Sequence, residues 1–148
     1  MNSLTRRLFA LVLGTFAASA FADSSGTEKF GDYLVHYSAL STQILNEQMA
    51  AQYSIERSPK HGLVNLSVQK VAADETATAV AATIRGEAVN LTGQKTPVVI
   101  REIPDLYVSY IGLFDVVAPD TYTFEFSIRP EGSDKEFTLR FNKNFVAE

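Results

Sequence analysis

Apolar and polar side chains alternate along much of this chain, and a period of two residues is typical of half-buried β-strands. The clearest run places Tyr122, Phe124, Phe126 and Ile128 at every second position, separated by polar residues. A helix could not bring these four side chains to one side. A second alternating run, residues 137–141, follows a proline and a glycine, so we predict a β-hairpin with a type I turn at residues 129–132.

Five further segments have the composition and alternation of strands. Their predicted bounds are 29–38, 64–69, 79–91, 98–103 and 106–114. In the segment 79–91 the apolar positions change phase after Gly86, which predicts a β-bulge there. The segment 106–114 is apolar at both odd and even positions, as expected of a strand in the middle of a sheet.

One short stretch has helical spacing instead. Leu45, Met49 and Tyr53 recur every four residues and would form one apolar stripe. The side-chain oxygen of Asn46, the residue after Leu45, is suited to accept from the free N–H groups of a first helical turn. We therefore predict a short helix after the first strand, with its stripe against the sheet or closing one end of it.

The predicted order is strand, helix, then six strands, with no alternating helices to cover a parallel sheet. We therefore predict an all-β fold, an antiparallel immunoglobulin-like β-sandwich of about seven strands. An antiparallel barrel is the alternative. Tyr122, two residues before Phe124, lies where sandwiches carry a tyrosine corner, and a plain core position is the alternative for this side chain.

The first 22 residues are predicted to be a secretory signal peptide. Arg6 and Arg7 precede an apolar run, and the small-residue pattern 20–22 ends it just before Asp23. The run is about half the roughly 20 residues needed to span a bilayer, so cleavage after Ala22 is favoured over a membrane anchor. The paired arginines also fit twin-arginine export, and both routes lead to the periplasm.

The composition excludes several classes of function. The 148 residues include no cysteine, so disulfides and zinc–thiolate sites are excluded. The formal charge is −4, and removal of the two signal-peptide arginines leaves 11 of the 13 basic residues against 17 acidic ones. Such a surface has no basic footprint for a phosphate backbone, so we predict no nucleic-acid partner. Residues 23–148 should form one soluble domain without a cofactor or a stable membrane anchor.

Candidate catalytic groups are few. His61 lies in a predicted turn with no acidic residue near it in sequence, as a solvated loop histidine would. Asp32, His36 and Ser38 share a face of the first predicted strand, but at about 3.3 Å per residue Asp32 and His36 would lie roughly 13 Å apart. We therefore predict no catalytic residue and no metal ligand, and a His36 bonded to backbone at the rim of the core.

Three short motifs carry a resemblance to a known family. They are residues 31–39, Asn65-Leu66-Ser67-Val68, and Phe114-Asp115-Val116 with the strand of Tyr122. Over most of its mature length the chain resembles a family of small exported proteobacterial proteins of unknown function. The resemblance implies a periplasmic all-β domain and places His36, Tyr37 and Asn65 in recurrent motifs. It implies no activity.

The export signal, the fold and the lack of catalytic motifs favour a periplasmic, non-catalytic binding or accessory module for a protein or small molecule. His36, Tyr37 and Asn65 are its candidate ligand-binding residues. The alternative is a hydrolytic or metal-assisted enzyme with a site around His36. That alternative needs a carboxylate or hydroxyl from another strand within about 3 Å of the imidazole, in a cleft.

Overall fold

The computed structural model describes residues 25–104 and 108–147, which form ten strands, a 3-10 turn and one helix. The strands are β1 Ser25–Phe30, β2 Tyr33–Ser41, β3 His61–Val71, β4 Ala77–Ala79, β5 Ala82–Val89, β6 Lys95–Pro97, β7 Val99–Pro104, β8 Val108–Asp115, β9 Asp120–Pro130 and β10 Phe137–Phe145. The 3-10 turn Thr42–Ile44 and the helix α1, Glu47–Gln52, lie between β2 and β3. The predicted signal peptide and its cleavage site at Ala22 and Asp23 lie outside the described residues.

The strands form two antiparallel sheets that enclose the main core. Sheet A has the order β1-β2-β3-β8-β7, with β4 beside the last part of β3, and sheet B has the order β10-β9-β5-β6. Buried side chains from both sheets form one cluster between them. This arrangement confirms the predicted antiparallel all-β sandwich. In the described part of the chain, no helix has the length and apolar character needed to cross a membrane.

Aromatic side chains join the two sheets. The alternating residues of β9 are buried as predicted, and Phe124 and Phe126 are fully inaccessible to solvent. The ring of Phe141 on β10 stacks on Phe124 at 5.0 Å and, across the core, on Tyr37 of β2 at 4.4 Å between centroids. Burial of each such ring stabilises the fold by about 1.5–3 kcal/mol, so this cluster holds the sheets together.

Tyr122 satisfies both interpretations of its position. Its ring is buried in the core, and its hydroxyl accepts a hydrogen bond from the N–H of Val117, five residues upstream, at 3.0 Å. That bond is the contact that defines a tyrosine corner. It connects the start of β9 to the chain segment that leaves β8.

The helix α1 covers part of the outer face of sheet A. Asn46 caps it as predicted, because its side-chain oxygen accepts from the N–H of Met49 at 2.7 Å. A second core lies under the helix and contains Leu45, Ala50, Ile55, Leu63 and Ile111. The predicted stripe is wrong at Met49, which is exposed, and Ala50 takes the inward position instead.

The helix ends in a Schellman motif, which explains why it has only six residues. The N–H of Ser54 donates to the carbonyl of Ala51, and the N–H of Ile55 donates to that of Ala50 at 2.8 Å. Ser54 has a φ of +53°, a conformation that glycine usually supplies at this position. The motif turns the chain so that Ile55 packs back on Ala50 in the second core.

Three local predictions are wrong. The segment 29–38 is two strands, because a turn with Gly31 at a φ of +59° separates β1 from β2. There is no bulge at Gly86, which pairs with Phe126 in an uninterrupted ladder along Ala82–Val89. The turn after β9 lies one residue later than predicted, since Pro130 ends the strand and its carbonyl accepts from Ser133.

Gly86 keeps the phase of its strand because it makes room for a ring. A Cβ at this residue would lie 2.2 Å from a ring carbon of Phe126 on the neighbouring strand. Glycine therefore fills a core-facing position without a side chain, and Ala88 is the next buried residue. The apparent change of phase in the sequence reflects this missing side chain, not an extra residue in the strand.

Candidate functional site

A cleft of about 430 Å³ opens at one edge of sheet A, where the chain crosses from sheet B to sheet A between β6 and β7. Three segments meet there: the residues after α1, the β6–β7 crossing and the ends of β3 and β8. The lining residues are Thr42, Ser54, Ile55, Glu56, His61, Thr96, Pro97, Val99, Leu113, Phe114 and Asp115. A cleft of this size accommodates a small organic molecule.

The pairing of β3 with β8 places a histidine and a carboxylate side by side at the rim. His61 begins β3 and is the register partner of Asp115, the last residue of β8. The His61 Nε2 lies 3.7 Å from the Asp115 Oδ1. The prediction of a solvated loop histidine is therefore wrong, because His61 is a partly buried strand residue next to an acid that is 54 positions away.

The wall of the cleft is apolar. Ile55 is held there by the Schellman motif, and Leu113 lies next to it on the outer face of sheet A. Pro97 and Val99 extend this wall onto the chain that crosses between the sheets, where Val99 is the register partner of Leu113. Val99 is 67% exposed, although it is a β-branched strand residue, so the cleft presents a free apolar surface to solvent.

The charged residues of the cleft are acidic. Glu56 and Asp115 lie at the rim, and the residues described as lining the cleft include no lysine or arginine. The hydroxyl of Thr42 is already engaged, because it donates to the carbonyl of Ser58 and accepts from its N–H. Thr42 therefore fixes the loop below the cleft, and the polar lining also includes Ser54, His61 and Thr96 beside the two carboxylates.

His36 lies elsewhere, on the outer face of sheet A. Its Nε2 is 2.9 Å from the Oε1 of Gln69 on β3, and its Nδ1 is 2.7 Å from the hydroxyl of Thr27 on β1. In the neutral imidazole this geometry assigns Nε2 as the donor to Gln69 and Nδ1 as the acceptor from Thr27. The expected bond to backbone is replaced by these two side-chain bonds, and Asp32 lies in the β1–β2 turn instead of on the strand.

The structure separates the three predicted ligand-binding residues. Tyr37 follows His36 on β2 and points the opposite way, into the main core. Asn65 is exposed on the outer face and pairs with Ser38, so it shares a face with His36. None of the three lines the cleft at His61 and Asp115. Their role in binding stays a prediction.

A second concavity of about 430 Å³ lies on the outer face of sheet B and is shallower and more charged. There the Nζ of Lys95 donates to the Oε1 of Glu87 at 2.6 Å, and this bond raises the pKa of Lys95. Arg85, on the same face, lies 3.8 Å from the Oε2 of Glu136. In the described ranges, no group of three or more histidine, aspartate and glutamate side chains is placed to hold a metal ion.

Comparison with known proteins places the chain in a family. The model of DUF4426, a domain of unknown function, matches residues 27–148. The chain belongs to the DUF4426 family. A crystal structure of a DUF4426 family protein from Pseudomonas aeruginosa PAO1 is similar, with a TM-score of 0.71 and 23% identity over 84% of this chain and 97% of that one. Curated proteins give no match.

Membership of the DUF4426 family confirms the resemblance to a family of unknown function and leaves the activity of the cleft to be inferred from its own residues. Sequence reasoning missed this cleft, since no local pattern connects residue 61 to residue 115. The available signal was Pro97, which directly precedes the predicted strand 98–103. A proline at the beginning of a strand is typical of a sheet edge.

Proposed function

We propose that this DUF4426 protein is an exported, periplasmic, non-catalytic module that binds a small molecule in the cleft between the α1–β3 segment and the β6–β7 crossing. The cleft itself carries this proposal. Its volume of about 430 Å³ lies within the range of small-molecule sites. An apolar wall with a few polar groups at the rim is the usual composition of such sites.

The proposed location rests on the amino-terminal sequence. That sequence has the order of a cleavable signal peptide: two arginines, an apolar run too short to span a bilayer, and small residues before Asp23. A binding module in the periplasm would meet its ligand without a transport step. The function of this protein would then be to bind that molecule on the periplasmic side of the inner membrane.

Mass spectrometry of protein recovered from its own periplasm tests both parts. The denatured mass should correspond to cleavage after Ala22, and the native spectrum should show an added small-molecule mass. Retention of residues 1–22 would contradict the location. A wild-type protein without any added mass would contradict the binding function.

Two matched variants place the ligand within the molecule. Val99→Trp should fill the cleft and remove the added mass, because Val99 lies on its wall. Val117→Trp is the control, since Val117 is 75% exposed and does not line the cleft. Loss of the added mass from both variants, or from neither, would contradict binding at this cleft.

One observation supports the enzyme alternative around His36. A hydroxyl from another strand, that of Thr27, lies 2.7 Å from Nδ1, and Gln69 orients the ring from the other side. This is the arrangement of a nucleophile, a base and an orienting group. Hydrolysis of p-nitrophenyl acetate by the wild type, His36→Gln and Thr27→Val tests it. Equal rates for all three proteins would rule out this site.

A further inference from the structure

The charge and wall of the cleft at His61 and Asp115 define a class of ligand. We infer that this cleft takes a small organic cation, a protonated amine attached to an apolar body. The inference rests on the proposed binding function and specifies its ligand. It follows from the sign of the rim charges, from the uncovered apolar wall and from the geometry of Asp115.

The rim carries two carboxylates, and the basic side chain among the described lining residues is that of His61. Glu56 and Asp115 contribute two carboxylates, and no lysine or arginine is found among the described residues that line the cleft. Neither carboxylate takes part in a lysine or arginine ion pair of the described residues. An anionic ligand would therefore be repelled by two negative charges, whereas an ammonium group would form ion pairs with them.

Asp115 keeps its acceptor capacity. Its nearest basic partner, the Nε2 of His61, lies 3.7 Å from Oδ1, which is longer than a hydrogen bond. An ammonium group carries three donors and can bridge the carboxylate oxygens at shorter distances. The side chain of Asp115 is 86% exposed, so a ligand can reach it without displacing part of the protein.

The wall requires an apolar body beside the charge. Val99 is the register partner of Leu113, so these two side chains lie side by side on the wall, with Pro97 and Ile55 also lining the cleft, and Val99 is 67% exposed. Covering an apolar side chain stabilises a complex in proportion to the area removed from water. A hydrated inorganic cation would leave this wall uncovered. A neutral apolar molecule would leave the carboxylates without a partner.

Three probes of one shape separate these possibilities: benzylamine, benzyl alcohol and phenylacetate. Each is titrated into ¹⁵N-labelled mature protein, and the amide shifts of Val99, Leu113 and Asp115 report occupancy of the cleft. Benzylamine should bind at least tenfold more tightly than phenylacetate. Its affinity should fall as salt is added, because the rim carboxylates are exposed and screened. Benzyl alcohol should bind weakly and independently of salt.

Variants at the rim then test whether Glu56 and Asp115 are the groups that bind the ammonium group. Glu56→Gln and Asp115→Asn should each weaken benzylamine by about threefold to fivefold, the size expected of an exposed ion pair. Asp134→Asn is the matched control, because it removes the same charge in the exposed loop between β9 and β10. Its affinity for benzylamine should equal that of the wild type. Equal losses in all three variants would overturn the assignment to the rim.

The outcomes distinguish the two proposals. If phenylacetate or benzyl alcohol binds the cleft as tightly as benzylamine, the cation inference is wrong and the binding function stands. If none of the probes shifts the cleft amides while native mass spectrometry shows a ligand removed by Val99→Trp, the cation inference is again wrong. If the probes fail and the recovered protein carries no added mass, the binding function fails as well.

Discussion

A methyl group at Gly86 tests the packing of the main core. Gly86 lies on β5 opposite Phe126, whose side chain is fully buried. The Cβ of an alanine there would meet two ring carbons of Phe126 at 2.2 and 2.6 Å and the carbonyl oxygen of Glu125 at 2.9 Å. Carbon atoms pack at about 3.5–4.0 Å, so the ring has to move by more than about 1.3 Å.

The ring of Phe126 is packed in a cluster of three rings and is fully buried. The centroids of Phe124 and Phe141 each lie 6.2 Å from that of Phe126 and 5.0 Å from each other. Overpacking of a core typically costs about 1–3 kcal/mol, and the loss of glycine freedom in the unfolded chain returns about 0.4–1 kcal/mol. Because the carbonyl of Glu125 is backbone, we expect the upper part of this range. Gly86→Ala should lower the free energy of unfolding by about 2 kcal/mol.

Urea denaturation monitored by circular dichroism measures this change, and thermal melts should show a decrease in Tm of about 6–10 °C. A double-mutant cycle with Phe126→Leu tests whether the loss of stability comes from the clash with the Phe126 ring. The smaller side chain should relieve the clash, so the double variant should be at least about 1 kcal/mol more stable than additivity predicts. Gly26→Ala on the edge strand should be milder, since its Cβ would meet only the end of the Tyr37 side chain.

Additive effects in the cycle would refute the reasoning, because they would show that Gly86→Ala does not act through the ring of Phe126. A Gly86→Ala protein as stable as the wild type would refute it too. That result would mean that β5 contains the bulge expected from the sequence, with Gly86 turned away from the core.

Three further predictions concern local contacts. Ser54→Gly should raise the free energy of unfolding by about 0.5–1 kcal/mol in urea titrations, because Ser54 has a φ of +53° that glycine adopts without strain; Ser54→Ala should give no gain. Tyr122→Phe should lower the free energy of unfolding by about 1 kcal/mol, since the N–H of Val117 loses its acceptor. An unchanged free energy of unfolding would contradict the tyrosine corner. The hydrogen bond from Ser127 holds the pKa of Glu136 below its ordinary value of 4.5, with help from Arg129. The ionised carboxylate of Glu136 therefore stabilises the fold above pH 4.5, and this stabilisation is lost as the pH falls below 4.5. The Tm of the wild type should then fall more steeply with acid than that of Glu136→Gln.

Local patterns predicted β9, β10 and the start of the helix well because each pattern is read within a few residues. The alternation of β9 and β10 and the Asn46 cap depend only on neighbours in sequence. The helix stripe failed at Met49 for a physical reason. A six-residue helix covers less than two turns, and the Schellman motif rotates its buried side toward Ala50 and Ile55.

For the candidate residues on β2, the sequence predicted the face of each side chain but not its hydrogen-bond partners. The sequence assigned His36 and Tyr37 to opposite faces, and the structure agrees. It could not show that Gln69, 33 positions away, holds the imidazole. Hydrogen-bond partners of a strand residue come from the neighbouring strands, and the choice of neighbours is a property of the whole sheet.

The sequence by itself determined the all-β class, the amphipathic strands and the hairpin of β9 and β10. Each depends on periodicity, capping or composition over short stretches of chain. Only the tertiary structure decided that His61 meets Asp115, that Gly86 lies under Phe126 and that Val99 is left uncovered beside Ile55. These features depend on sheet order and register between distant strands, which are set by the packing of all the strands together.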